Sequence, residues 1–216
     1  MAWLRIAFQT VALSIVLLSA SVYAQEVDKT KPYEMIEIVA DNLFSRLKAN
    51  KDNIQENPDL LKTMVQEELM PYVDYRYASL KLLGPNLKGA KKADVGEFIK
   101  AFHLYLVSSY AQVLTLYSDQ HVEFEPEKAI NAKKRIIGIK VDVIDAPKPV
   151  INIEFKLRKN KKTNEWLAFD MIAEGISLLS SKQSEWTSKI RKEGILAVAQ
   201  ELESLAQNPV RFEGSK

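Results

Sequence analysis

The fifteen residues Asn164-Glu-Trp-Leu-Ala-Phe-Asp-Met-Ile-Ala-Glu-Gly-Ile-Ser-Leu178 run a strand straight into a helix start, and no other stretch constrains the architecture as much. Trp166, Leu167, Phe169, Met171 and Ile172 supply the bulk of a strand buried on both faces. Gly175 permits a sharp turn, and Ser177 is placed to cap a helix. Asp170 is the one charged group inside that strand. It has two readings, a structural acceptor for backbone N–H groups or a general base.

Upstream of this junction the hydrophobic period divides the chain into helices, sheet and helices. Met35, Ile36, Val39, Ala40, Leu43, Phe44 and Leu47 recur at three- and four-residue spacing after Pro32, which predicts an amphipathic helix. A polar loop over Asn50 to Pro58 is expected next, then a helix from Asp59 to Leu69 and another from Pro71 to Gly84. The longest helix is expected from an Asp94 cap to about Ser118. It is too apolar for a surface helix. Val95, Phe98, Ile99, Phe102, Leu106, Tyr110, Val113 and Tyr117 form one stripe, and Leu104, Val107, Ala111 and Leu114 a second, so both sides need cover.

From Val122 the period becomes two. Ile137, Ile139, Val141 and Val143 alternate with polar residues, as do Ile151, Ile153, Phe155 and Leu157 beyond a Pro147-Lys-Pro149 turn, which predicts antiparallel neighbours. The expected class is α+β, a twisted antiparallel sheet wrapped by helices with an additional helical subdomain. Its N-terminal helices cover about 32–118, its sheet about 121–174 and its C-terminal helices about 177–207.

Arg5, the apolar run from Ile6 to Leu18 and the small residues of Val22-Tyr23-Ala24 have the form of a signal peptide, residues 1–24, cleaved after Ala24. The run is shorter than the roughly 20 residues that span a bilayer. A single exported domain, residues 25–216, is the expected product. The absence of cysteine excludes lipoprotein attachment, disulfides and thiolate chemistry. With 30 basic and 28 acidic residues the formal charge is +2, without the dominant basic field of a nucleic-acid binder.

Reactive constellations are sparse. Gly175-Ile-Ser177 lacks the second glycine of a hydrolase elbow, because position 179 is Leu. His103 and His121 are the only histidines, and neither has a partner at metal-ligand spacing, so no metal is expected. An enzyme on this chain would use Asp170 or His103, with Tyr105 or Tyr110, for proton transfer in an apolar pocket. Lys133-Lys-Arg135 and the basic hairpin Arg158 to Lys162 are either solvated turns or sites that attract anions.

Several spaced features carry a family likeness. They are Asp74 before Leu82-Leu-Gly84, Phe98 and Phe102, Tyr110-Ala111 with Leu114 and Tyr117, Trp166, Asp170, the Glu174-Gly-Ile-Ser177 turn, Ile190, and Gly194-Ile195. In their order and spacing the chain resembles the MlaC family of periplasmic phospholipid-binding proteins, also described as toluene-tolerance auxiliary proteins. Leu87 stands where family members often carry tryptophan, and Asp94-Val95 where a Gln-Arg pair is usual.

The resemblance implies an NTF2-like fold, a periplasmic location and a carrier without catalytic residues or cofactor, whose cargo is phospholipid. It implies as partners an outer-membrane lipoprotein with its porin and an inner-membrane ABC transporter with a periplasmic lipid-receiving subunit. Acyl tails are expected where Phe98, Phe102, Leu106, Tyr110 and Val113 face Ile139, Val141, Ile153, Phe155, Phe169 and Met171. A monomer is expected from the charge-mixed surface.

Overall fold

A proline at the first position and an apolar stripe make α1, Pro32–Ala49, the first helix of the computed structural model, which describes residues 27–213. Glu34 in its first turn and Arg46 and Lys48 in its last suit the helix dipole. Its first half lies on the sheet through Tyr33, Met35, Ile36 and Val39, while Leu43 and Leu47 enter a second, helical core.

The expected loop after α1 is instead a short helix, α2 (Lys51–Glu56), formed because Ile54 is buried beneath it. Helix α3 (Leu60–Met64) passes into a π-helical turn over Val65–Leu69, and Arg46 clamps that turn through Glu67 and Glu68 at 2.5 and 2.6 Å. The helix expected from Pro71 begins later, as α4 (Tyr75–Leu83), because Val73 is extended and bridges Ala168 of the sheet. Asp74 then caps α4 by accepting from the Tyr77 N–H at 3.0 Å. The long helix α5 (Lys92–Leu114) starts two residues before the expected cap, leaving Asp94 in its first turn.

The sheet is an antiparallel meander in the order β1 (His121–Phe124), β2 (Ile136–Ile144), β3 (Ile151–Lys159), β4 (Trp166–Ala173) and β5 (Ile176–Ser177). Register pairs Ile139 with Phe155 and Val141 with Ile153, as alternation requires. One β-bulge interrupts β4: Leu157 faces Ala168 and Lys156 faces Asp170, leaving Phe169 as the extra residue. Uninterrupted alternation would put Asp170 on the same face as Trp166. The bulge turns it to the opposite face and returns Met171 to the face of Phe155.

Glu174 and Gly175, at φ of 49° and 79°, reverse the chain into β5, and Ser177 caps α6 (Leu178–Glu193) by accepting from the Ser180 N–H at 3.0 Å. Gly194, φ 89°, separates α6 from α7 (Ile195–Ala206). The α+β class expected from the periodicity is the class observed. The proposed leader, residues 1–24 with its cleavage after Ala24, lies outside the described residues.

Candidate functional site

Among the described residues the buried side chains form three clusters rather than one continuous core. The first joins α4, α5, α6 and α7 around Phe98, Phe102, Trp186, Val198 and Leu202. The second joins α1, α3 and α5 around Leu43, Leu61, Met64, Val107 and Ala111. The third lies between α1 and the sheet, around Met35, Ile139, Val141, Leu157 and Trp166. Half-buried side chains bridge them, Leu106 between the first and second and Leu69 between the second and third. A domain of this size ordinarily has one contiguous core; here the clusters meet along a seam of incompletely covered apolar side chains.

The seam follows the C-terminal half of α5. Leu106, Tyr110 and Val113 share one side of that helix, roughly opposite Leu104, and Tyr117 lies beyond its end. Leu106 and Tyr110 are half-buried and Val113 is 58% exposed. The Tyr110 side chain keeps some access to solvent while its phenol is ringed by protein. Burial pushes that phenol up to about 12, with the charges of Asp170 and Tyr105 adding to the effect. At neutral pH it is therefore a hydrogen-bonding group, not an acid.

Asp170 is fully engaged at the edge of the seam. Its Oδ1 accepts the N–H groups of Met171 at 2.8 Å and Leu179 at 3.0 Å, and its Oδ2 accepts the Ser177 hydroxyl at 2.7 Å. Carboxylate and serine together form the start of α6. Ile176 and Leu178, which flank Ser177, are 60% and 40% exposed, so this corner carries an apolar rim. His103 packs against Tyr75 with ring centroids 4.5 Å apart, and burial lowers its pKa. His121 opens β1, with Glu123 at 3.4 Å. Among the described residues no group of three His, Cys, Asp or Glu converges to hold a metal.

The eleven residues expected to line a tail site do not all come together. Phe98 and Phe102 belong to the first core, where Phe102 meets Trp186 edge-on at 6.3 Å. Ile139 and Val141 are covered by α1 rather than α5. The bulged Phe169 packs edge-on to Tyr77 at 5.1 Å. Leu106, Tyr110, Val113, Ile153, Phe155 and Met171 remain incompletely covered. The principal neighbours of α5 are α7, α4 and α3, so the sheet does not close directly on it.

Sequence reading missed what ties α4 to the sheet. Asp74 accepts from Arg158 Nη2 at 2.5 Å and Nε at 3.2 Å, and that guanidinium sits 4.2 Å from the centroid of the Tyr77 ring. A basic hairpin next to a family-like aspartate was the available signal. A further groove of ≈ 450 Å³, lined by Lys62, Gln66, Leu104, Val107 and Glu203 among others, runs along the outer flank of α5, away from Tyr110. Its lining includes the charged Lys62 and Glu203, and its volume is small for two acyl chains.

Comparison with known proteins follows the same lines. The family model described as MlaC protein matches residues 37–204. The chain is also 34% identical over 202 residues to the intermembrane phospholipid transport system binding protein MlaC of Haemophilus influenzae, covering 93% of this chain and 94% of that one. The chain belongs to the MlaC family. A more distant match for this MlaC-family chain is the toluene tolerance protein ttg2D of Pseudomonas putida, 24% identical over 166 residues, with coverage of 76% and 74%. The chain shares its fold with a phospholipid-binding protein of Ralstonia solanacearum solved with a phospholipid. That match has a TM-score of 0.68 at 18% identity and covers 79% of this chain and 94% of the other. Among the described residues no helix is long and apolar enough to cross a membrane.

Proposed function

We propose that this chain is a soluble, monomeric periplasmic phospholipid carrier that needs no cofactor and moves lipid between membrane complexes. Its acyl tails lie between Leu106, Tyr110 and Val113 of α5 and Ile153, Phe155 and Met171 of the sheet. The observation that carries this reading is the division of the interior into three cores bridged by half-buried apolar side chains. Names of relatives point the same way, since one is a phospholipid transport binding protein and another was solved with a phospholipid.

Magnitudes set the mechanism. A buried methylene contributes about 0.8 kcal/mol, so roughly thirty from two tails give on the order of 20 kcal/mol before opposing terms. Release into water is then negligibly slow. The carrier must dock and offer its cargo a continuous apolar path. The expected donors and acceptors are an outer-membrane lipoprotein–porin complex and an inner-membrane ABC transporter with its periplasmic lipid-receiving subunit. Tail burial dominates, so the headgroup stays near solvent at the rim marked by Val113, Ile176 and Leu178 and is selected loosely.

Native mass spectrometry of protein purified from a bacterial periplasm without detergent tests this directly. Co-purified phospholipid at one molecule per chain is the expected result. A ligand-free mass that stays empty after incubation with phospholipid vesicles would sink the carrier reading.

A further inference from the structure

The open edge of β2 holds a second feature, unconnected with the tail seam. Strand β1 covers β2 only as far as the Phe124–Val141 pair, so among the described residues no strand lies beside 136–140 on that edge. Their hydrogen-bonding direction follows from two contacts. Lys159 N–H donates to Arg135 C=O at 2.9 Å, so residue 135 is turned towards β3. Lys140 is turned away from β3, its N–H donating to Glu125 Oε1 and its C=O accepting from Glu125 N–H, both at 3.0 Å. Antiparallel pairing alternates, so Gly138, opposite Lys156, also turns its N–H away from β3 and onto the open edge.

That edge borders a cavity of ≈ 270 Å³ whose lining includes Tyr33, Glu125, Lys128, Lys134, Gly138 and Lys140. Glu125 is already committed, to Lys128 Nζ and to the Lys140 N–H. The Tyr33 phenol lies beside the Lys128 backbone. Among the described residues no carboxylate forms an ion pair with Lys134 or Lys140. Lys128, Lys134 and Lys140 against Glu125 give the lining residues a formal +2, and Glu154, whose carboxylate lies over Gly138, is paired with Lys156. Lys133 and Arg135 flank the cavity, and the Lys159–Arg135 hydrogen bond draws the basic hairpin with Lys161 and Lys162 to the same end of the sheet, against Glu127 and Glu165. The two basic segments singled out in the sequence thus meet at one place.

We infer that this cavity binds a phosphate-bearing group, with the Gly138 N–H and the Lys134 and Lys140 ammonium groups as donors. A tetrahedral anion offers several acceptors at once, which suits a backbone N–H on a strand edge beside two mobile cations. A volume of ≈ 270 Å³ admits a phosphate ester of glycerol size but not an acyl chain, so the site is separate from the tail seam. Free phosphate and a lipid headgroup presented by a bilayer share this chemistry.

Amide NMR of the purified protein distinguishes them, with inorganic phosphate titrated in one arm and phosphatidylglycerol-containing vesicles in the other, each against phosphate-free chloride at matched ionic strength. A saturable shift of the Gly138 amide with inorganic phosphate assigns a site for free phosphate. Broadening of Gly138 confined to the vesicle arm assigns a headgroup site. Lys134→Gln with Lys140→Gln should weaken either response at least about tenfold, since each charged hydrogen bond is worth that much. Lys133→Gln with Arg135→Gln should leave it within about twofold. If the paired Lys134 and Lys140 variant does not fold, Lys134→Gln alone, in a loop, gives the same reading. No specific Gly138 response in either arm, or the same shift with chloride, overturns the proposal. Neither result bears on cargo carried in the tail seam.

Discussion

The two halves of α5 have different fates. Around Phe98 the helix is sealed by α4, α6 and α7, with Phe98, Leu83, Val198 and Leu202 at 0% exposure. Three turns on, Leu106 and Tyr110 are half-covered and Val113 is 58% exposed, although the sequence there is as apolar as before. The sealed half is a stability device, and the open half is apolar surface in excess of what the fold requires. Removing a side chain from each half should therefore have opposite consequences. Phe98→Ala should cost about 3–5 kcal/mol, or about 10 °C in melting temperature, while protein that remains folded retains its cargo. Differential scanning calorimetry with lipid extraction checks both. A small loss of stability would mean that the first core is as loosely packed as the seam.

Helix α4, which helps cover the sealed half, is tied to the sheet by the Asp74–Arg158 clamp. Asp74→Ala removes a helix cap and leaves Arg158 without its carboxylate, which should cost about 2 kcal/mol in urea unfolding. Asp74→Asn keeps a capping oxygen and should lose about half as much. Equal losses would mean that the cap contributes nothing.

Tyr110 reports the seam through pH. Its folded pKa of about 12 lies above the ordinary phenol value of 10, so the protonated form is favoured by folding. The unfolded chain gives up this proton first. The stabilisation is therefore complete below pH 10 and is lost as pH rises towards 12, by about 1 kcal/mol at pH 11. Tyr110→Phe should abolish that part of the alkaline decline. Burial also raises Tyr33, Tyr72 and Tyr117, but these are common to both proteins and cancel in the difference. Parallel decline in the two would place the Tyr110 phenol in water.

What the sequence disclosed and what it concealed divide along local and non-local physics. Alternation in β2 and β3, the reversal at Gly175, the Ser177 cap and the break at Gly194 are local choices, and each was legible. The bulge at Phe169 was not, because an extra residue in β4 shows itself only against the register of β3. Nor was the late start of α4, where Val73 prefers a bridge to Ala168 over a helical turn. The candidate site suffered in the same way. Apolar stripes identify surface that needs cover without naming the cover, so Ile139 and Val141 were set against α5 when α1 lies on them. Phe98 and Phe102 were set against the sheet although Trp186 and Ile190, far along the chain, close over them.

The sharpest contrast between the halves comes from adding volume rather than removing it. Ala101 lies at 0% exposure in the first core, and Leu there must displace neighbours in a packed interior, at about 1–3 kcal/mol. Leu106 bridges two cores and is only half-covered. On the carrier reading an indole there takes the volume of the acyl tails rather than that of a neighbour, so Leu106→Trp should change stability by less than about 1 kcal/mol. It should also occupy the volume that acyl tails require, so extraction of the purified variant should recover a small fraction of the wild-type phospholipid. A variant that is as stable as the wild type and fully loaded would place the tails elsewhere. One that is destabilised as strongly as Ala101→Leu would show the seam to be filled by the protein itself.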